Sequence, residues 1–182
     1  MDDKRFHVIT GASGAGKSTL VKALGDRGYC VVPEMALAVV QEQERRGGHL
    51  YPWTDLRAFM QEVLARNLQA YDSARAMRAP VFFDRGLPEC IAHMRLLGLE
   101  VQAGLAAQAA RRRYASTVFV AEPWPEIYVR DRWRRASFER AARSFEPTVA
   151  AYVENGYSLR TLPKLSVEER LEFVLQTARA GG

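Results

Sequence analysis

The chain alternates short apolar runs with longer amphipathic stretches. FHVIT (6–10) is a compact apolar run ending in glycine, the pattern of a strand buried on both faces. Residues from about Lys17 to Asp26 predict a helix, and Gly28 opens YCVVPE (29–34), a second strand. MALAVVQEQERR predicts a helix stopped by Gly47-Gly48. Thr54 stands where it would N-cap a long helix reaching about Met77, with Asp55 in its first turn. Leu56, Phe59, Met60, Val63, Leu64, Leu68 and Tyr71 recur there at helical spacing, which predicts one buried face. Pro80 starts VFFD (81–84), a third strand, and two helices follow, split near Gly98. STVFVAE (116–122) and YSLRTLP (157–163) read as strands four and five. Ser166 and Glu169 form a capping box ahead of the apolar stripe Leu171, Val174, Leu175 and Ala178.

Five short apolar strands separated by helices predict an α/β fold, a parallel sheet covered on both faces. Its crossovers should be right-handed, and its ligands should lie beyond the carboxyl ends of the strands. Neither an internal repeat nor a dividing linker interrupts residues 1–182, so a single domain is expected. The long helix 55–77 has enough apolar surface to serve either the core or a homodimer.

Composition narrows the class. Hydrophobic residues are 48% and charged residues 26% of the 182, as in ordinary globular chains. No apolar run approaches the ~20 residues of a membrane span, and the apolar run near the N-terminus is too short for a signal peptide. The expected location is the cytoplasm. Cys30 and Cys90, far apart in sequence, read as reduced thiols. The net charge of +5 suits an anionic ligand. Nucleic acid is the lesser reading, because there is no helix-turn-helix, RRM or zinc pattern.

Gly11-Ala12-Ser13-Gly14-Ala15-Gly16-Lys17-Ser18 fits G-x-x-x-x-G-K-[ST] in full, between a strand and a helix as that motif requires. Glycines allow the loop to curl so that successive N–H groups face phosphate oxygens, and a helix N-terminus adds positive potential. Lys17 is expected on the β- and γ-phosphates of ATP, and Ser18 on Mg²⁺ with Thr19 beside it. A magnesium-nucleotide site also needs an acid. Asp84, at the end of VFFD, is the candidate, as metal-shell acid or as base, with Arg85 beside it to pair or to touch phosphate. Glu34, at the end of strand two, is placed to orient an acceptor hydroxyl and take its proton. Glu122, at the end of strand four, reads more as a solvated acid.

RDRWRRASFERAAR (130–143) lies between strands four and five, where a mobile lid (about 124–146) could close over phosphate. Arginine suits that task by its bidentate grip and its charge. Tyr51 and Trp53, in the GGHLYPW loop, are candidate acceptor contacts. Arg111 to Arg113 read as a basic helix C-terminal turn, and His7 as a packed strand residue.

With these residues in place, the chain resembles the P-loop kinase-type NTPases. More narrowly it resembles an AAA-domain family of small ATPases that also contains nicotinamide riboside kinase-like domains. HVITGASGAGKSTL, GYCVVPEMA, VFFDRGLPE, Asp131 to Arg135 and ENGYSLRTLPKLSVEERLEFVL carry the resemblance almost end to end. It implies a three-layer fold with strand order 2-3-1-4-5, Mg-ATP as nucleotide, and kinship with nucleoside and nucleotide kinases. By that resemblance Glu34 contacts the acceptor hydroxyl, Asp84 joins the magnesium shell or is the alternative base, and Arg134 and Arg135 are lid arginines. The segment after Pro163 would flank the adenine. The function this implies is transfer of the γ-phosphoryl group to a small hydroxyl acceptor, a nucleoside, a nucleotide or a ribosyl compound. The rival is a regulatory ATPase read by a protein partner.

Overall fold

The structure, a computed structural model, describes residues 2–129 and 137–180. Five parallel strands, β1 (Phe6–Gly11), β2 (Cys30–Val32), β3 (Val81–Asp84), β4 (Thr117–Ala121) and β5 (Ser158–Thr161), form one sheet in the order β2-β3-β1-β4-β5. The register sets Ile9 beside Asp84 on one side and Phe119 on the other. Asp84, the last residue of β3, therefore lies beside β1 two residues before β1 ends at Gly11.

Alternation along each strand sorts the core into two layers. Phe6, Val8, Val81, Phe83, Val118 and Val120 face a cluster built on α2 (Met35–Arg46), α3 (Leu56–Ala74), α4 (Leu87–Leu96) and α7 (Phe145–Glu154). Ile9, Phe82, Phe119 and Ala121 face α1 (Lys17–Asp26) and α8 (Val167–Ala180). The central strands β1, β3 and β4 are thus buried on both faces, which explains why they read as unbroken apolar runs, while the edge strand β5 is mostly exposed. Helices α5 (Ala103–Arg111) and α6 (Phe138–Ala142) and a single 3-10 turn (Pro125–Ile127) complete the described elements. Among the described residues, no helix is long and apolar enough to cross a membrane.

Helix α7 was not anticipated from the sequence, and two further elements end elsewhere than expected. The second strand stops at Val32, because Pro33 has no N–H to continue a ladder. Glu34 is therefore the residue preceding α2, not the last of a strand. The cap of α3 is Asp55, whose carboxylate accepts the Ala58 N–H at 2.9 Å. Thr54 is already engaged: its hydroxyl donates to the His49 carbonyl at 2.7 Å and accepts from Tyr51 N–H at 3.0 Å. After Ala74 the chain tightens into i to i−3 bonds at Arg75, Ala76 and Met77, so the helix proper ends short of Met77. The capping box at α8 forms as expected, with Ser166 N–H and hydroxyl on the Glu169 carboxylate and Glu169 N–H on Ser166 Oγ.

Candidate active site

The phosphate loop follows directly from β1. Gly11, Gly14 and Gly16 take φ of 120°, 79° and 76°, values at which a side chain is strained. A Cβ on Gly11 would also drive into the Ala121 carbonyl of β4. Gly16 precedes the first residue of α1, where no side chain caps the helix and no acid stands in the first turn. The N–H groups of that turn are left for an anion.

Lys17 is buried at 5% exposure, and its ammonium donates to the Gly11 and Ala12 carbonyls at 3.1 and 2.6 Å. Burial, reinforced by the Arg85 cation, pulls its pKa down to about 8, against the opposing pull of Asp84, Glu34 and Glu89. Ser18 Oγ donates to Asp84 Oδ2 at 2.9 Å. β1 and β3 are neighbours in the sheet, which brings the end of β3 to the loop and helix that follow β1. Asp84 Oδ1 is buried without a hydrogen-bond partner among the described residues. Burial and then the Glu34 charge push the Asp84 carboxyl up to about 6. An orphaned carboxylate oxygen beside a serine hydroxyl fits a hard divalent cation. Among the described residues no cluster of three His, Cys, Asp or Glu side chains stands ready for a metal.

Arg85 follows at φ 75°, the one described non-glycine residue with positive φ. That backbone turns its guanidinium between two acids: Nε lies 3.3 Å from Glu34 Oε1, and Nη1 lies 3.2 Å from Glu89 Oε1. Glu89 sits one turn along α4, buried at 5% exposure, and its other oxygen accepts from the Thr10 hydroxyl at the end of β1. Burial tends to lower the Arg85 pKa, but the surrounding Glu34, Glu89 and Asp84 charges outweigh it and raise it. Tyr152 of α7 and Tyr114 pack over Gly86, where a Cβ would stand 2.9 Å from the Tyr152 hydroxyl.

From Glu34 and Arg85 a cavity of about 260 Å³ runs between α2, α3 and α4. Met35, Phe59, Met60 and Val63 line its apolar walls; Glu89, Asn67, His93, Ser144 and Thr148 supply its polar atoms. The mixture of apolar wall and sparse polar groups is that of a small-ligand pocket.

Residues 6–170 match the family described as AAA domain. The chain belongs to this AAA-domain family. A nucleotide-binding protein of Granulibacter bethesdensis is 39% identical over 85 residues, 45% of this chain and 26% of that protein. The chain thus spans about a quarter of that relative's length. Among solved structures, deoxyadenosine kinase from M. mycoides superposes with a TM-score of 0.61 at 17% identity, over 96% of this chain and 98% of the other. Shikimate kinase from Acinetobacter baumannii gives 0.56 at 14% identity, over 96% and 93%. Thymidylate kinase from Ehrlichia chaffeensis gives 0.56 at 13% identity, over 96% and 97%. The AAA domain therefore has the P-loop kinase fold, with the strand order 2-3-1-4-5.

Within the AAA domain, Lys17, Ser18, Asp84, Arg85 and Glu34 converge at one end of the sheet. Thr19 is exposed on the first turn of α1. Tyr51 and Trp53 stack on each other at 4.8 Å with an 8° interplanar angle, and Trp53 is 69% exposed. Pro52 between them lines the cavity, and neither of the two rings is part of its lining. Glu122 is exposed one residue past β4. Arg134 and Arg135 lie outside the described residues, as do Arg130 to Arg132. Arg112 and Arg113 do more than end a helix: they pair with Asp72 and Asp2 at 2.7 and 2.9 Å. His7 packs on Phe82 with ring centroids 5.2 Å apart.

Glu89, His93 and Arg170 were not singled out by the sequence. Glu89 reads there as an ordinary acid in a helix first turn. The available signal was its i+4 spacing from Arg85. Arg170 reaches the phosphate loop from α8, a contact spanning 155 residues that no local pattern announces.

Proposed function

We propose that this domain transfers the γ-phosphoryl group of Mg-ATP to the hydroxyl of a small acceptor, nucleoside-like or ribosyl-like and without a phosphate of its own. The observation that carries the reading is the cavity opening at Glu34 and Arg85, next to the phosphate loop. A switch that only hydrolyses ATP has no need of an apolar pocket there. Its charge favours an uncharged acceptor. Glu34 and Glu89 line it, and Arg85, the one arginine or lysine in its lining among the described residues, is already held by both. Its volume, at or below the ~300 Å³ lower end of ligand pockets, favours a compact molecule.

In this reading Ser18 and Asp84 would hold Mg²⁺, and the metal when bound neutralises charge on the phosphate oxygens. The loop N–H groups fix the triphosphate, and Lys17 leaves the carbonyls of its own loop for phosphate oxygens. Glu34 receives the acceptor's proton, with Arg85 alongside to aim its carboxylate. Catalysis is then mainly positioning and charge stabilisation.

The test is acceptor-dependent ATP turnover by the purified protein across nucleosides, nucleotides and simple alcohols, with the phosphorylated product followed directly. Nucleosides or ribosyl compounds should raise ADP formation above the basal rate, and nucleoside monophosphates should not. Lys17→Ala should nearly abolish turnover. Glu34→Gln should leave ATP binding intact and lower transfer by roughly 10²–10⁴-fold, the usual contribution of a general base. If no acceptor raises turnover and a partner protein does, the domain is a regulatory ATPase.

A further inference from the structure

Arg170 is a charged side chain in an unusual setting. It is 3% exposed, on the first turns of α8. Its Nη2 donates to the Ala15 carbonyl at 3.1 Å. Its Nη1 lies 2.7 Å from the point where Gly16 would carry a Cβ. Its guanidinium carbon stands 5.6 Å from the centre of the Trp124 ring. Its Nε is buried without a hydrogen-bond partner, and no carboxylate lies within ion-pair distance among the described residues. Burial lowers its pKa with no neighbouring charge opposing that shift, yet a guanidinium stays protonated in proteins. A buried cation of this kind destabilises the protein unless something supplies the opposite charge.

We propose that Arg170 is a positioning residue for the bound nucleotide, holding the outer side of the phosphate loop from α8 and matched in charge by the triphosphate on the inner side. The proposal rests on the nucleotide-binding reading, not on the identity of any acceptor. Its geometry follows from the peptide bond. In a planar trans peptide the carbonyl and the next N–H point in opposite directions. Anchoring Ala15 C=O on Arg170 therefore directs Gly16 N–H away from α8, to the side where a phosphate would be received. Gly16 is glycine for two linked reasons: its φ of 76°, and a guanidinium occupying the place of its Cβ. Lysine would not replace this arginine. Only the planar fork can donate to a carbonyl with its edge while lying near an indole face.

The experiment compares the full-length wild type with Arg170→Met and Arg170→Lys, using Mg-ATP as probe. Nucleotide affinity is measured by calorimetry, and thermal unfolding is followed with and without Mg-ATP. Wild type that fails to bind ATP would sink the nucleotide reading itself, before Arg170 is in question. Given wild-type binding, Arg170→Met should lose about tenfold or more in affinity, the worth of one charge-assisted hydrogen bond. It should unfold, without nucleotide, no earlier than wild type, because a buried unmatched charge has gone. Arg170→Lys should fall between the two in affinity. A purely structural arginine gives the reverse pattern: a lower unfolding temperature without nucleotide and an unchanged affinity. Affinity within twofold of wild type overturns the proposal whatever the unfolding temperature does. If the Met variant does not fold, Arg170→Gln, which keeps a donor for Ala15, decides on the same criterion, and its affinity should drop.

Discussion

Arg85 carries the sharpest conflict between backbone and side chain in the described structure. A non-glycine residue at φ 75° is strained by about 1 kcal/mol or more. The compensation is its place between Glu34 and Glu89. Arg85→Gly relieves the backbone but leaves the buried Glu89 without its cation, which costs about 3 kcal/mol. The second effect is larger, so the variant should lose about 2 kcal/mol of stability by urea unfolding. A gain in stability would show that the strain dominates. That Lys17, Ser18, Asp84 and Arg85 lie together could be anticipated from sequence, because each stands in a motif with fixed spacing or at the end of β3; Glu34 joins them from the approach to α2, past the end of β2. Glu89 and Arg170 could not be anticipated. Their roles depend on which helix packs against which strand end, information that is absent from the residues adjacent to them.

At the scale of elements, the apolar periodicity located every strand and most helix bodies; α7 escaped it, and the other differences fell at ends. Those ends are decided by single hydrogen bonds. Thr54 and Asp55 are both good capping residues, and the choice between them turned on Thr54 already closing the preceding turn through His49 and Tyr51. Asp55→Ala should therefore cost about 1 kcal/mol through loss of the Ala58 bond. Chemical denaturation, with the midpoint compared at constant slope, checks it. Thr54→Ala should instead loosen the 49–54 turn and leave the helix start intact, seen as faster amide exchange at Tyr51 with Ala58 unchanged. The second strand was read two residues too long because Pro33 ends ladder pairing without ending the extended direction of the chain. Glu34 consequently belongs to the approach to α2, whose helix start aims it at Arg85.

At the scale of the molecule, the two-sided burial of the sheet puts a histidine where its charge is costly. His7 is 5% exposed and stacked on Phe82, and burial lowers its pKa. His93, in the cavity lining, is lowered too, by burial and then Arg85, with Glu34 opposing. The folded protein therefore binds these protons less readily than the unfolded chain, whose histidines titrate near ~6.5. Stability from this source is fully present above that pH and is lost as the pH falls through it. His7→Phe should reduce the drop in unfolding temperature between about pH 7.5 and about pH 5, leaving a slope set by His93 and, with the opposite sign, by Asp84. An unchanged slope would place the effect elsewhere. The order of the sheet was legible through resemblance rather than spacing, since the apolar runs say that strands exist and not which lies beside which.

Glu89 spans that sheet order. One of its oxygens takes the Thr10 hydroxyl at the end of β1, just before the phosphate loop, and the other holds Arg85 at the end of β3, at the mouth of the cavity. A displacement on either side is felt by the same carboxylate. Under the proposed reaction, nucleotide and acceptor should then bind with heterotropic coupling, and thermodynamic reciprocity requires each to change the other's affinity by the same factor. Glu89→Gln should bring that factor toward one. Calorimetric titration of each ligand in the presence and absence of the other measures it, and equal coupling in the variant and the wild type would remove Glu89 from the linkage.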